Sequence, residues 1–386
     1  VITNEQMTDK VTTERDYTAE RDIAIDYLRS FVIVLVVFMH AFLAYTPLIP
    51  FDPTSYINSA APVVDPNRCA IFDFTFHFLD MFLMPLMFLI SGLFTLPSLD
   101  RKGGGRFLAE RYKRLGLPYL VASVALMPFA HWPSRLLSSA PPDPPHWIAF
   151  FTVGGWPAGP LWFLWVLLVF NSIFALMYRY TPSIVEKIRY QPTVFMVFLF
   201  TILAYLPMGL IFPHWLWVHF GGPFHVQTNR IVLYFIYFVL GAALGAGQGL
   251  KSIRWPSHWG WWALIGVISF LVYSMSDPAA RLGGLTPAVM LNGIAFSTGC
   301  AGMSLASLGA FRQFIHRNRA FMDSLTANAY SIYIIHYCFI TWFQFTLITV
   351  SWPAWMKCMI VFTLSLGMSW AASAVLRLIP TIRRIL

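Results

Sequence analysis

Apolar stretches long enough to cross a bilayer recur along most of this chain, and no other feature restricts its fold as strongly. An α-helix rises about 1.5 Å per residue, so about 20 apolar residues traverse the hydrocarbon core. Such stretches fall at 28–48, 72–96, 113–132, 160–180, 193–213, 229–248, 258–275, 286–310, 327–350 and 354–378. They predict an all-α polytopic integral membrane protein of about ten transmembrane helices. The third stretch starts in a basic run and the seventh is short. Composition agrees: 58% of the 386 residues are hydrophobic and 11% are charged. A soluble domain carries about 25% charged residues.

Charge orders the loops. With a cytoplasmic N-terminus and ten alternating helices, 21 of the 26 Lys and Arg fall on the cytoplasmic side. Only Arg68, Arg135, Arg230, Arg281 and Lys357 remain on the other. That bias predicts both termini in the cytoplasm. It also accounts for the formal charge of +9 with no nucleic-acid partner. Residues 1–20 are polar and lack the apolar core of a signal peptide. They are expected to form a mobile cytoplasmic tail, with the first helix as its own insertion signal. Residues 21–386 then make a single transmembrane domain. Cys300, Cys338 and Cys358 lie in apolar runs and Cys69 in a loop, with neither a CxxC nor a metal-ligand spacing, so all four read as unpaired packing residues.

Ionisable residues inside these stretches are costly and therefore mark function first. Arg29 opens the first stretch and His40 follows eleven residues later. That gap is about three helical turns, roughly 16 Å, on nearly the same face. His40 is either a reactive imidazole or a histidine satisfied by a neighbouring helix. Arg111 and Arg114, in RFLAERYKRLGLPYL, share a face at i and i+3. Guanidinium forks suit phosphate, although an RxxR at a helix start also serves as a topology signal. In HFLDMFLMPLMFLISGLF, Asp80 is a carboxylate in an apolar run. It is placed to accept the second ring N–H of His40 and raise its basicity. Ser91, beside Gly92, reads as a packing residue more readily than as a nucleophile. Trp162 begins the fourth helix. Tyr333 and His336, in SLTANAYSIYIIHYCF, sit deep in the ninth. The loops at 133–159 and 213–228 are rich in aromatic residues, which suits an interfacial belt or a wall for a sugar. His214, His219 and His225 match no metal-ligand spacing.

Together these segments resemble the membrane-bound acyltransferase-3 family. Its Arg-x10-His motif is matched by Arg29 and His40, and its RxxR by Arg111 and Arg114. MPLMFLISGLF, LWFL and AYSIYIIH also look like family segments. The resemblance spans about 21 to 350, and no hydrolase-like domain follows at the C-terminal end of this sequence. The segments around Arg29, Ser91 and Trp162 look most like the branch of glucan-biosynthesis protein C, the periplasmic glucan succinyl transferases. The family implies helices around a central cavity for acyl-CoA and acceptor, in a bacterial inner membrane. Acyl-CoA would be a co-substrate, with no permanently bound cofactor and no metal. Arg29, Arg111 and Arg114 would bind its phosphates, His40 would act as general base with Asp80 behind it, and Trp162, Tyr333 and His336 would line the substrate path. The product would be an O-acetylated or succinylated hydroxyl of a periplasmic or cell-surface glycan. The partners are then acyl-CoA, the glycan and the lipid bilayer, and a homo-oligomer is allowed. The competing class is a multipass transporter or channel for an anionic or proton-coupled solute, whose inverted repeat and paired broken helices are not seen.

Overall fold

A computed structural model describes residues 22–50, 61–139, 145–152, 156–246, 258–276, 278–383 and 385. The tail expected over 1–20 lies outside them. A helix occupies each of the ten apolar stretches: α1 Ile23–Phe42, α2 Ile71–Leu93, then the short α3 Thr95–Lys102, α4 Gly104–Arg111 leading through a π turn at Tyr112–Gly116 into α5 Leu117–Ala130, α6 Trp162–Tyr180, α7 Val194–Ile211, α8 Ile231–Gly245, α9 Trp259–Met275, α10 Pro287–Phe314, α11 Ala320–Thr346 and α12 Ala354–Leu376. Eight spans among the described residues are long and apolar enough to cross a membrane. The other two helices are α9, at 17 residues, and α11, which is long but carries many polar side chains. The protein is an all-α polytopic membrane protein.

Caps and close approaches explain where the helices start and how they meet. α1 begins at Asp22, whose Oδ1 accepts the backbone N–H of Ala24 at 3.1 Å and Ile25 at 3.3 Å. The other carboxylate oxygen of Asp22 pairs with Arg312 in the last turn of α10, which ties one end of the bundle together. This end also carries Arg29, Arg111 and Arg114 and is called the arginine end below. α1 packs on α11 and α12, and α2 packs on α8 and α10. The α2–α8 contact is nearly backbone to backbone. A Cβ on Gly241 would lie 2.0 Å from the Leu89 carbonyl oxygen, and one on Gly245 1.9 Å from that of Leu93. Small residues at four-residue spacing permit this approach in a membrane, where packing rather than water drives helix association.

The opposite end is closed by a hairpin. β1 Trp217–His219 and β2 His225–Gln227 pair antiparallel, with His219 opposite His225. Beside it, Lys357 at the start of α12 meets Asp65 in the α1–α2 loop at 2.7 Å, with both side chains at most 1% exposed. Three more cations at this hairpin end have internal partners, Arg230 with Asp80, Arg281 with His77, and Arg68 with the Asp65 carbonyl, whereas the buried Nη1 of Arg135 has none among the described residues.

The glycine contact gives a direct check. Gly245→Ala forces a sub-3 Å clash against backbone and should cost about 1–3 kcal/mol. Gly367→Ala, where nothing lies within 4 Å, should leave stability unchanged or slightly raised. Thermal unfolding in detergent is expected to show a lower midpoint for the first variant only.

Candidate active site

Four helices bring the arginines together. Arg29 comes from α1, Arg111 and Arg114 from the α4–α5 span, Ser91 from α2 and Leu167 from α6, and all five line two adjoining chambers of about 340 and 360 Å³. The chambers are ordered in depth. Ile33 on α1, Met87 on α2, Leu115 after Arg114, and Phe163 and Leu164 on α6 line only the second. Each lies further toward the bundle interior than its shared neighbour. The first chamber is bounded instead by Phe94, Arg101, Lys102, Phe107 and Asn171. The second, which runs from Thr326, Ala327 and Ile385 at the arginine end inward to Tyr333, reaches deeper and is called the deep chamber, and the first the shallow one.

The charge balance here is one-sided. Glu110, the acidic residue on the wall, is taken by Lys102 and Arg106. Arg29 has a loose contact with Asp26, 3.4 Å away. Among the described residues neither Arg111 nor Arg114 forms an ion pair; Arg111 lies over the Phe107 ring at 4.9 Å. The π turn through Arg114 does not separate the two guanidiniums, because both still line both chambers. A cavity lined by guanidinium forks and short of carboxylate is chemically a site for a phosphate-bearing anion.

Tyr333 links the deep chamber to a histidine pair. Its ring lines the chamber and its hydroxyl donates to the Pro160 carbonyl. One turn on, His336 is fully buried, and its ring stands edge-on to that of His40 with centroids 5.2 Å apart. Each imidazole has Nδ1 2.7 Å from a carbonyl, His40 from Val36 and His336 from Tyr333. A carbonyl only accepts, so Nδ1 carries the hydrogen and Nε2 the lone pair in both rings. The Nε2 of His336 has no partner. Gln344 clamps the pair from the far side, its Nε2 donating to the carbonyls of His40 at 3.0 Å and Ala41 at 3.1 Å. Sequence reasoning passed over Gln344 and Asn171; a lone amide in an apolar run was the available signal for each.

Two expected site residues are placed elsewhere. Trp162, like His40 and His336, lines neither chamber, but unlike His336 it is not one turn from Tyr333 on α11. It packs between Tyr234, Phe88 and Trp217 of the hairpin, as part of an aromatic layer. Asp80 does not orient His40. Its carboxylate meets the guanidinium of Arg230 at 2.7 Å, and its carbonyl accepts from the same residue at 3.0 Å. The physical reason is charge: Arg230 is 3% exposed and must be neutralised, whereas a neutral imidazole needs only a carbonyl. Around this pair, Arg230 lies over Phe296 and Arg281 over Tyr273. The loop residue His214 sits between the hydroxyls of Tyr205 and Tyr273. Burial, then the nearby Arg230 and Arg281, push its pKa down to about 3, which keeps it neutral.

The corrected partner of Asp80 changes what its loss should do. Asp80→Asn strands a buried guanidinium, which costs at the lower end of about 3–5 kcal/mol because Asp80 itself is 22% exposed. The thermal midpoint should fall, and the double variant Asp80→Leu/Arg230→Met should recover most of the loss. Normal stability with slowed turnover in Asp80→Asn would return this carboxylate to the reaction.

No curated protein and no solved structure matches the chain. The acyltransferase-3 family model, described as an acyltransferase domain, matches residues 22–374, a range that includes the three arginines, both histidines and every helix of the bundle except the last two residues of α12. The chain belongs to the acyltransferase-3 family and is a membrane acyltransferase.

Proposed function

We propose that the protein transfers an acetyl or succinyl group from cytoplasmic acyl-CoA to a hydroxyl of a periplasmic or cell-surface glycan. The observation that carries this reading is the convergence of Arg29, Arg111 and Arg114 on one cavity that extends inward to Tyr333, one turn from the His40–His336 pair. The arginines bind the donor phosphates at the arginine end. The pantetheine arm runs through the deep chamber. The acceptor hydroxyl reaches the imidazoles from the hairpin end, under the aromatic loops. In the bacterial inner membrane this places both termini in the cytoplasm, the side to which the lysine and arginine bias assigns them. The segments around Arg29, Ser91 and Trp162, similar to the glucan-biosynthesis C proteins, favour a succinylated glucan as product.

His40 Nε2 removes the hydroxyl proton as the oxygen attacks the thioester carbonyl. The carbon–sulfur bond then breaks, and the imidazolium returns the proton to the leaving thiolate, giving an ester and free CoA. The Val36 carbonyl, holding Nδ1–H, sets the tautomer that this step needs. Direct transfer is favoured over an acyl-enzyme. The Ser91 hydroxyl donates to its own helix at Met87 at 2.8 Å, the thiols of Cys300 and Cys338 donate to the Tyr237 hydroxyl and the Leu126 carbonyl, and Cys358 is buried.

Donor binding and chemistry should separate cleanly in purified protein. His40→Ala should cut acyl transfer by about 10²–10⁴-fold with CoA affinity retained. Arg111→Ala should weaken CoA binding instead, with Arg111→Lys restoring only part because it lacks the fork. Specific activity near wild type in folded, CoA-competent His40→Ala would pass the base role to His336. The acceptor is tested by mass spectrometry of surface glycans from cells with and without the gene. A loss of acyl mass on a glycan is expected, and a change confined to lipid or peptide would remove the glycan assignment.

A further inference from the structure

The shallow chamber holds a polar group that the transfer chemistry does not use. Asn171 on α6 is 2% exposed and lines this chamber. Its Nδ2 donates to the Leu167 carbonyl at 2.7 Å, while its Oδ1 has no partner. The amide cannot be turned the other way, because that would set Oδ1 against the carbonyl oxygen of Leu167. Native interiors rarely leave such an acceptor idle unless something outside the chain completes it. A donor N–H from a ligand is what it lacks.

Depth decides which part of the ligand that is. Arg29, Arg111 and Arg114 line both chambers, so a pyrophosphate held by them sits at the junction. The arm that carries the thioester leaves inward, toward Tyr333. The nucleoside at the other end of the pyrophosphate then lies toward the arginine end, where the shallow chamber holds the unpaired Oδ1 of Asn171. That chamber offers the ring of Phe94 for a flat base and Arg101 for a ribose phosphate, the Phe107 ring being covered by Arg111 and Lys102 being paired with Glu110. Its volume of about 340 Å³ is at the small end of ligand sites. Resting on the acyl-CoA reading above, we infer that the shallow chamber is an adenine subsite in which Asn171 Oδ1 accepts a hydrogen bond from the exocyclic amine of the base. A carbonyl at that position of the base would oppose oxygen to oxygen, so the site selects adenine over hypoxanthine.

The test uses the full chain in detergent and two probes, adenosine 3′,5′-bisphosphate and inosine 3′,5′-bisphosphate, with affinities from calorimetry. Wild type is expected to bind the adenine probe about tenfold more tightly. Asn171→Ala should erase that difference by weakening the adenine probe alone, with its thermal midpoint reporting that it is folded. Equal affinity for the two probes in wild type overturns the subsite whatever the variant does. So does an undiminished preference in Asn171→Ala. A variant that loses CoA affinity but keeps its affinity for the bisphosphate also overturns it, because Oδ1 then meets an amide of the pantetheine arm. If wild type binds neither CoA nor either probe, the acyl-CoA reading itself falls, and the subsite with it.

Discussion

A cation in or beside lipid is stable only if something neutralises or hydrates it, and the two ends of this bundle meet that constraint differently. At the hairpin end the protein supplies a counter-charge to its two most deeply buried cations. Arg230 is held by Asp80, and Lys357 by Asp65. These pairs fasten α2 to α8 and the α1–α2 loop to α12. At the arginine end Arg111 and Arg114 face a cavity with no carboxylate assigned to them among the described residues. Glu110, the nearest, is occupied by Lys102 and Arg106. The same residue type therefore staples one end and leaves the other ready for an anion.

The centre of the bundle obeys a related rule for neutral polar groups. α11 is the most polar of the long helices, yet it lies between α1, α5 and α12, where neighbours hide it from lipid. Three of its polar side chains are bonded across those contacts. Thr326 accepts from Ser30 at 2.9 Å, Asn328 accepts from Ser373 at 2.8 Å, and Gln344 donates to α1. These bonds fix the rotation of α11 about its axis and so aim His336 at His40. The precision of the histidine pair comes from this supporting set rather than from either histidine alone.

Much of the fold was legible because lipid imposes one strong pattern. Each of the ten apolar stretches is a helix, and the errors lie at the ends. α11 begins at Ala320 rather than 327 because its polar first turns face other helices, and hydropathy cannot tell a protein-facing polar residue from a loop. α1 begins at Ile23 because Asp22 caps it, before the apolar run starts. The basic run before the third stretch is itself helical, as α4 and the π turn.

The sequence by itself determined that the chain is a multi-helix membrane protein, which helices carry guanidinium and imidazole, and which family motifs they match, because hydropathy and motif spacing are properties of the chain alone. Only the tertiary structure decided which side chains meet. It set Arg29 beside Arg111 and Arg114 and His336 against His40, gave Asp80 to Arg230, took Trp162 out of the cavity, and left the Oδ1 of Asn171 unpaired. These pairings depend on the rotation of each helix and on close approaches such as Gly241 and Gly245 against α2. Those are fixed by the packing of every neighbour at once, and no single segment encodes them.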